Sequence, residues 1–240
     1  MKRNNEPESI SSILIKDIGM NLDEVGSIVE AGRQLRKVSP SLRFDMTPQE
    51  AFKRLLACYQ YEVQSRNRAF KLDEFTIEEI LNVAKHMTQE IPKPGLMLCG
   101  MQGNGKSTLA RAILRMIREL NFYGHFKFMG EYFSLDTRII KATDICILHK
   151  SEDFFAISKL KQTPVLVIDD VGEEPKEVMV YGTPLYPLRE VLEARYDTLL
   201  FTVLTTNLSP KDLPEHYGWR VVDRFREMYH QIVHKGESYR

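Results

Sequence analysis

From residue 95 onward the sequence predicts an α/β domain built on a parallel sheet flanked by helices, with a smaller helical region ahead of it. Three observations carry this reading. Apolar runs of strand length recur at Leu96–Cys99, Phe126–Met129, Pro164–Ile168, Leu200–Leu204 and Gln231–Val233. Amphipathic stretches lie between them, such as Thr108–Leu120, with Leu109, Ile113, Leu114 and Ile117 on one side. Strands alternating with helices in this way favour a parallel sheet covered on both faces. Before residue 90 the alternation is missing, and helix-start signatures take its place.

Those signatures come in order. An amphipathic stretch lies near Leu22–Leu35. Thr47-Pro48-Gln49-Glu50 offers an N-cap hydroxyl, proline at the first helical position and a capping-box glutamate. Phe52, Leu55, Leu56, Tyr59 and Val63 follow at helical spacing. Thr76-Ile77-Glu78-Glu79 repeats the signature ahead of Ile80, Leu81, Ala84 and Met87. Glu90-Ile91-Pro92-Lys93-Pro94-Gly95 then breaks the helical pattern. The expected division is therefore a helical region over 1–90, which would grip a partner, and the α/β domain over 91–240.

Composition narrows the class. The 240 residues balance 33 Lys+Arg against 33 Asp+Glu, so binding to nucleic acid through bulk charge is excluded, while a local basic stripe is not. Cys58, Cys99 and Cys146 are odd in number and far apart, which argues against a disulfide framework or a zinc ribbon. The polar start MKRNNEPESI and the absence of a run of about 20 apolar residues predict a cytoplasmic protein with no membrane partner.

Gly100-Met101-Gln102-Gly103-Asn104-Gly105-Lys106-Ser107 fits the phosphate-loop pattern G-x-x-x-x-G-K-[ST] throughout, between an expected strand and the helix that begins with Thr108. Glycines let consecutive backbone N–H groups turn toward phosphate oxygens, and the helix start adds its positive end. Lys106 is placed to reach the β- and γ-phosphates and Ser107 to hold Mg²⁺. Gly100, Gly103, Asn104, Gly105 and Thr108 complete the expected nucleotide contacts.

Val165-Leu166-Val167-Ile168 ends in Asp169-Asp170. The first carboxylate suits Mg²⁺, held through water. Strand alternation turns the second to the opposite side, toward a water attacking the γ-phosphate. Aspartate reaches less far than glutamate, so hydrolysis is expected to be slow without a partner. Leu200–Leu204 leads to Thr205-Thr206-Asn207. From the residues alone, Asn207 is either a turn or cap residue or a group that orients water. In Trp219–Met228, Val221, Val222, Phe225 and Met228 form an apolar face, and Arg220 and Arg224 share another. These arginines either pair on the surface or stabilise phosphoryl-transfer charge.

The order GMQGNGKS, VLVIDD, TTNLSP, YGWRVVDRFREM and GESYR, with LEARYD before the TTN strand, resembles the DnaC-type helicase loaders and the related IstB-type transposition ATPases of the AAA+ superfamily over about residues 90–240. The resemblance implies ATP and Mg²⁺ as cofactors and weak, stimulated ATP hydrolysis. It implies that Asn207 is the first sensor, that Arg224 is a finger acting on a neighbouring subunit's ATP, that Arg220 is a second contact, and that Arg240 helps at the nucleotide. It further implies no C-terminal lid, self-association through ATP, and a replicative helicase and single-stranded DNA as partners. By the same analogy Arg138 and Lys141 would lie on a DNA-facing helix over Leu135–Ala142. The alternatives are a transposition helper with the same site, a small-molecule kinase, or a nucleotide-gated adaptor. His230 and His234 read as ordinary histidines on a strand.

Overall fold

Thr47 starts the first described helix as its sequence predicts. Its Oγ1 accepts the Glu50 N–H at 3.2 Å, and α1 runs over Pro48–Gln64. The Glu50 carboxylate turns forward to Arg54 at 2.9 Å. The next helix, α2 (Glu74–Thr88), begins earlier than expected. Asp73, not Thr76, is its cap, with Oδ1 accepting the Thr76 N–H at 2.7 Å. A carboxylate at the cap also favours the positive helix end, and Thr76 is buried in the first turn. The computed structural model describes residues 42–122, 127–128, 131–132, 136–209 and 211–236. The stretch Leu22–Leu35, Pro210 and the closing Ser238-Tyr239-Arg240 lie outside them.

The α/β part contains β1 (Gly95–Gly100), α3 (Lys106–Phe122), a short antiparallel ribbon of β2 (Lys127–Phe128) and β3 (Glu131–Tyr132), β4 (Thr137–Lys141), α4 (Ala142–Lys150), α5 (Phe154–Gln162) and β5 (Val165–Val171). Next come the hairpin of β6 (Val178–Val180) and β7 (Thr183–Leu185), α6 (Pro187–Thr198), β8 (Phe201–Thr206), α7 (Leu213–Tyr217), α8 (Trp219–Met228) and β9 (Tyr229–His234). The main sheet runs β4-β5-β8-β1-β9, with every pairing parallel. Two expectations fail together. The described part of the run at Phe126–Met129, Lys127 and Phe128, belongs to the side ribbon, and the fifth sheet strand is Thr137–Lys141, which the analogy above assigned to a helix. Arg138 and Lys141 therefore sit on an edge strand, where Arg138 lies 3.7 Å from Asp136.

Alternation along each strand divides the core between the two faces. Leu96, Leu98, Val165, Val167 and Val203 pack under α1, α2 and α3, where Leu55, Ile80, Met87, Ile113 and Ile117 are fully or almost fully buried. Met97, Cys99, Leu166, Ile168 and Leu204 face Ile145, Val191 and Phe225. Helices α1 and α2 thus share one core with the sheet, and the described residues fall in a single compact unit. The change of pattern at residue 90 is not a break in packing.

Arg195, within the LEARYD stretch, is 0% exposed and has no acidic partner among the described residues. Its guanidinium donates to Thr202 Oγ1 (2.8 Å) and to the carbonyls of Leu160 (2.9 Å), Thr163 (2.7 Å) and Phe201 (2.8 Å), joining α5, α6 and β8. On the other face, buried His86 stacks on His230 with ring centroids 4.5 Å apart. Its Nε2–H donates to Lys93 O and its Nδ1 accepts from Gln89 Nε2, both at 3.2 Å, so the neutral ring is satisfied. Burial, then the neighbouring His230 and Lys93, lower its pKa from 6.5 to about 4. Between those values the unfolded chain takes up a proton that the fold refuses, so stability is full above about pH 6.5 and falls toward pH 4. The expected loss is on the order of 1–2 kcal/mol, discounted for partial solvent screening. His86→Gln should flatten the change in urea midpoint between pH 7.5 and pH 5; an unaltered slope would assign it to other groups.

Candidate functional site

The glycine-rich loop lies at the carboxyl end of β1, where parallel sheets place their ligands. Two of its glycines are required by geometry. A Cβ at Gly100 would come within 2.5 Å of Asn104 Nδ2 and 2.7 Å of His234 O, and Gly105 has φ +94°. Buried Asn104 fastens the loop to β9, its Nδ2 donating to His234 O at 3.3 Å. Lys106 is 5% exposed, and its Nζ bridges the carbonyls of Gly100 and Met101, both at 2.7 Å, and Asn104 Oδ1 at 3.2 Å. Gly103, Ser107 and Thr108 line the same cleft, whose volume is about 1180 Å³.

Asp169 closes the floor of this cleft. Buried to 3% exposure, its Oδ1 accepts the hydroxyls of Ser107 (2.7 Å) and Thr205 (2.6 Å), and its Oδ2 lies 3.5 Å from Arg111. Ser107 and Asp169, each expected at Mg²⁺, stand side by side, and Thr205 is an organiser that the sequence reading missed. Its hydroxyl also accepts the Asp170 N–H at 2.9 Å. Asp170 departs from simple alternation. The β5–β8 register shifts between Ile168 and Val171, and Asp170 takes φ +59°, so both carboxylates line the cleft. Burial, then the charge of Asp169, hold the Asp170 carboxyl above the usual carboxylate range.

Asn207 also lines the cleft, its Nδ2 donating to Glu173 Oε1 at 3.1 Å. Arg224 and Arg220 are not among the residues lining it. Arg224 lies on α8, 2.8 Å from Glu193 and with its guanidinium carbon 5.2 Å from the centroid of the Tyr196 ring, and Arg220 is exposed. The cleft brings in cations that the sequence did not announce: Arg66, Arg68 and Lys71 from the segment after α1, and Arg111 from α3. Lys141, read as a DNA contact, instead lines this cleft from the end of β4. With Lys106 these make six cations against the three carboxylates Asp169, Asp170 and Glu173.

This arrangement suits a polyphosphate: backbone donors at a helix start, a lysine held over the loop, and an excess of positive charge. The Ser107 hydroxyl and Asp169 carboxylate, 2.7 Å apart, form a hard-oxygen pair of the kind that takes Mg²⁺ together with phosphate oxygens and water. Among the described residues no cluster of three or more His, Cys, Asp or Glu side chains could hold a metal by itself. Nor is any described helix long and apolar enough to cross a membrane.

No protein-family model and no curated protein matches the sequence. Solved structures do match. The crystal structure of the DnaC helicase loader superimposes with a TM-score of 0.52 and 24% identity, covering 70% of this chain and 94% of that one. The crystal structure of DnaI gives 0.53 and 22%, covering 72% and 89%. At this identity the likeness speaks for the fold. The five parallel strands, the flanking helices and the loop after β1 give this chain a DnaC-like AAA+ fold.

Proposed function

We propose that this chain binds and slowly hydrolyses ATP, associates with itself through the bound nucleotide, and loads a replicative helicase onto single-stranded DNA. The observation that carries the reading is the Ser107–Asp169–Thr205 cluster beneath a cationic glycine loop, set in a fold similar to that of a helicase loader.

The residues divide the work by position. Loop N–H groups and Lys106 hold the phosphates, and Ser107 and Asp169 would hold Mg²⁺, which would supply charge neutralisation to the polyphosphate. Thr205 keeps Asp169 oriented and fixes the backbone of Asp170. Asp170 accepts the proton of the attacking water, favoured by its raised proton affinity. Asn207 orients that water, exchanging its bond to Glu173. Arg224, outside its own chain's cleft, supplies charge to the ATP of a neighbouring protomer, with Arg220 beside it. The short reach of Asp170 keeps turnover low, so occupancy more than product sets the affinity for partners.

Gel filtration of the full chain with the replicative helicase of its own host, in ATP and in ADP, tests this. Nucleotide-dependent co-elution, with salt-sensitive binding to a single-stranded oligonucleotide, is expected. Co-elution with a transposase in place of the helicase would replace the loader reading by that of a transposition helper.

A further inference from the structure

Three guanidiniums line the cleft, Arg66, Arg68 and Arg111, and the charge of Arg111 acts on Arg66. Arg66 stands one residue beyond the C-cap of α1, a helix fixed against α3 by Arg115. The Arg115 Nε–H donates to Glu62 at 2.8 Å, and its guanidinium lies 3.7 Å from the centroid of the Tyr61 ring. The backbone beyond α1 is ordered as a turn, with Arg66 N–H donating to Val63 O at 3.2 Å and Asn67 N–H to Gln64 O at 2.9 Å. The position of Arg66 is therefore set by packing. Arg111 comes from the other side, one helical turn after Ser107, with Nη1 donating to Ser107 O at 3.1 Å and Nη2 3.5 Å from Asp169 Oδ2.

Both side chains line the cleft, and the proton affinity of Arg66 is lowered by burial first and by the charge of Arg111 next. Among the described residues no carboxylate lies within ion-pair distance of Arg66, Glu62 and Asp169 act on it only from farther off, and Asp169, beside Arg111, is already engaged by two hydroxyls. Like charges turned into one cleft are unfavourable until an anion lies between them. Guanidinium forks match the oxygens of a phosphate better than a point charge does.

We propose that Arg66 and Arg111 form a pair, supplied within one chain, that recognises the γ-phosphate and lets a single protomer distinguish ATP from ADP. The inference rests on the nucleotide reading of the cleft and adds to it a specificity device independent of Arg224. Because Arg66 follows α1 directly, the pair also ties γ-phosphate occupancy to the helices that precede the sheet.

The test is the affinity of the monomeric protein for a non-hydrolysable ATP analogue and for ADP, by calorimetry, in the wild type, Arg66→Ala and Arg66→Lys. Arg66→Ala should weaken the ATP analogue about tenfold or more and ADP less than about threefold, with Arg66→Lys in between. An analogue-to-ADP ratio that Arg66→Ala leaves unchanged, with the wild type binding both, would overturn the pair alone. A wild type that binds neither nucleotide would overturn the reading of the cleft itself. A purely structural role for Arg66 would shift both affinities together, which the ratio detects.

Discussion

Alanine at position 106 should lower the affinity for ATP and for ADP by about 100-fold or more, as measured by calorimetry or by displacement of a fluorescent nucleotide. Two losses combine. A charge-assisted contact to phosphate disappears, which alone is worth about 1.5–3 kcal/mol. The carbonyls of Gly100 and Met101 and the Asn104 amide oxygen also lose the ammonium that gathers them, so the loop no longer holds its N–H groups toward one point. The buried site makes rescue by a neighbouring lysine unavailable, since Lys71 and Lys141 approach from other elements. Undiminished affinity in a protein of wild-type circular dichroism would mean that the nucleotide binds elsewhere.

Arg224→Ala should have the opposite profile: nucleotide affinity of the monomer unchanged, and assembly-linked hydrolysis reduced about 10³-fold or more. Arg224 lies on α8, away from its own cleft, half-buried between Glu193 and Tyr196. Those neighbours limit the guanidinium to few orientations, which suits a group that must meet a phosphate across an interface. Mixing supplies the decisive measurement. Lys106→Ala protein brings an intact Arg224 but no functional nucleotide site, whereas Arg224→Ala protein brings the reverse. Recovery of phosphate release in the mixture, with neither variant active alone, assigns Arg224 to action across the interface. A mixture as inactive as its components would sink that assignment.

What the sequence disclosed, and what it withheld, follows from how local each feature is. The loop from Gly100 to Ser107 and the pair Ser107–Asp169 were legible because a contiguous motif and the end of an apolar strand define them. Four of the five sheet strands were legible as apolar runs. Thr137–Lys141 was not: its adjacent Ile139 and Ile140 suit a helix face as well as an edge strand, and Ile139 is in fact exposed. How Asp170 reaches the cleft was not legible, because alternation presumes a regular strand, whereas β5 carries a bulge there. Thr205 had a local signal, since it pairs with the strand that bears Asp169 and precedes Asn207 by two. Arg111 had one as well, four residues after Ser107 on one helix. Arg66, Arg68 and Lys71 had none, because their approach depends on how α1 lies on α3.

That packing also governs how such a protein can be dissected and how it can evolve. Leu55, Ile80 and Met87 of α1 and α2 are part of the wall that covers Ile113, Ile117 and the strands beneath. A cut at residue 90 would leave that wall open to water and yield a sticky remainder in place of a smaller folded domain. The helical segment therefore cannot be exchanged between relatives as a cassette. A new partner would have to be acquired by resurfacing α1 and α2 one exposed residue at a time, with their inner faces held constant.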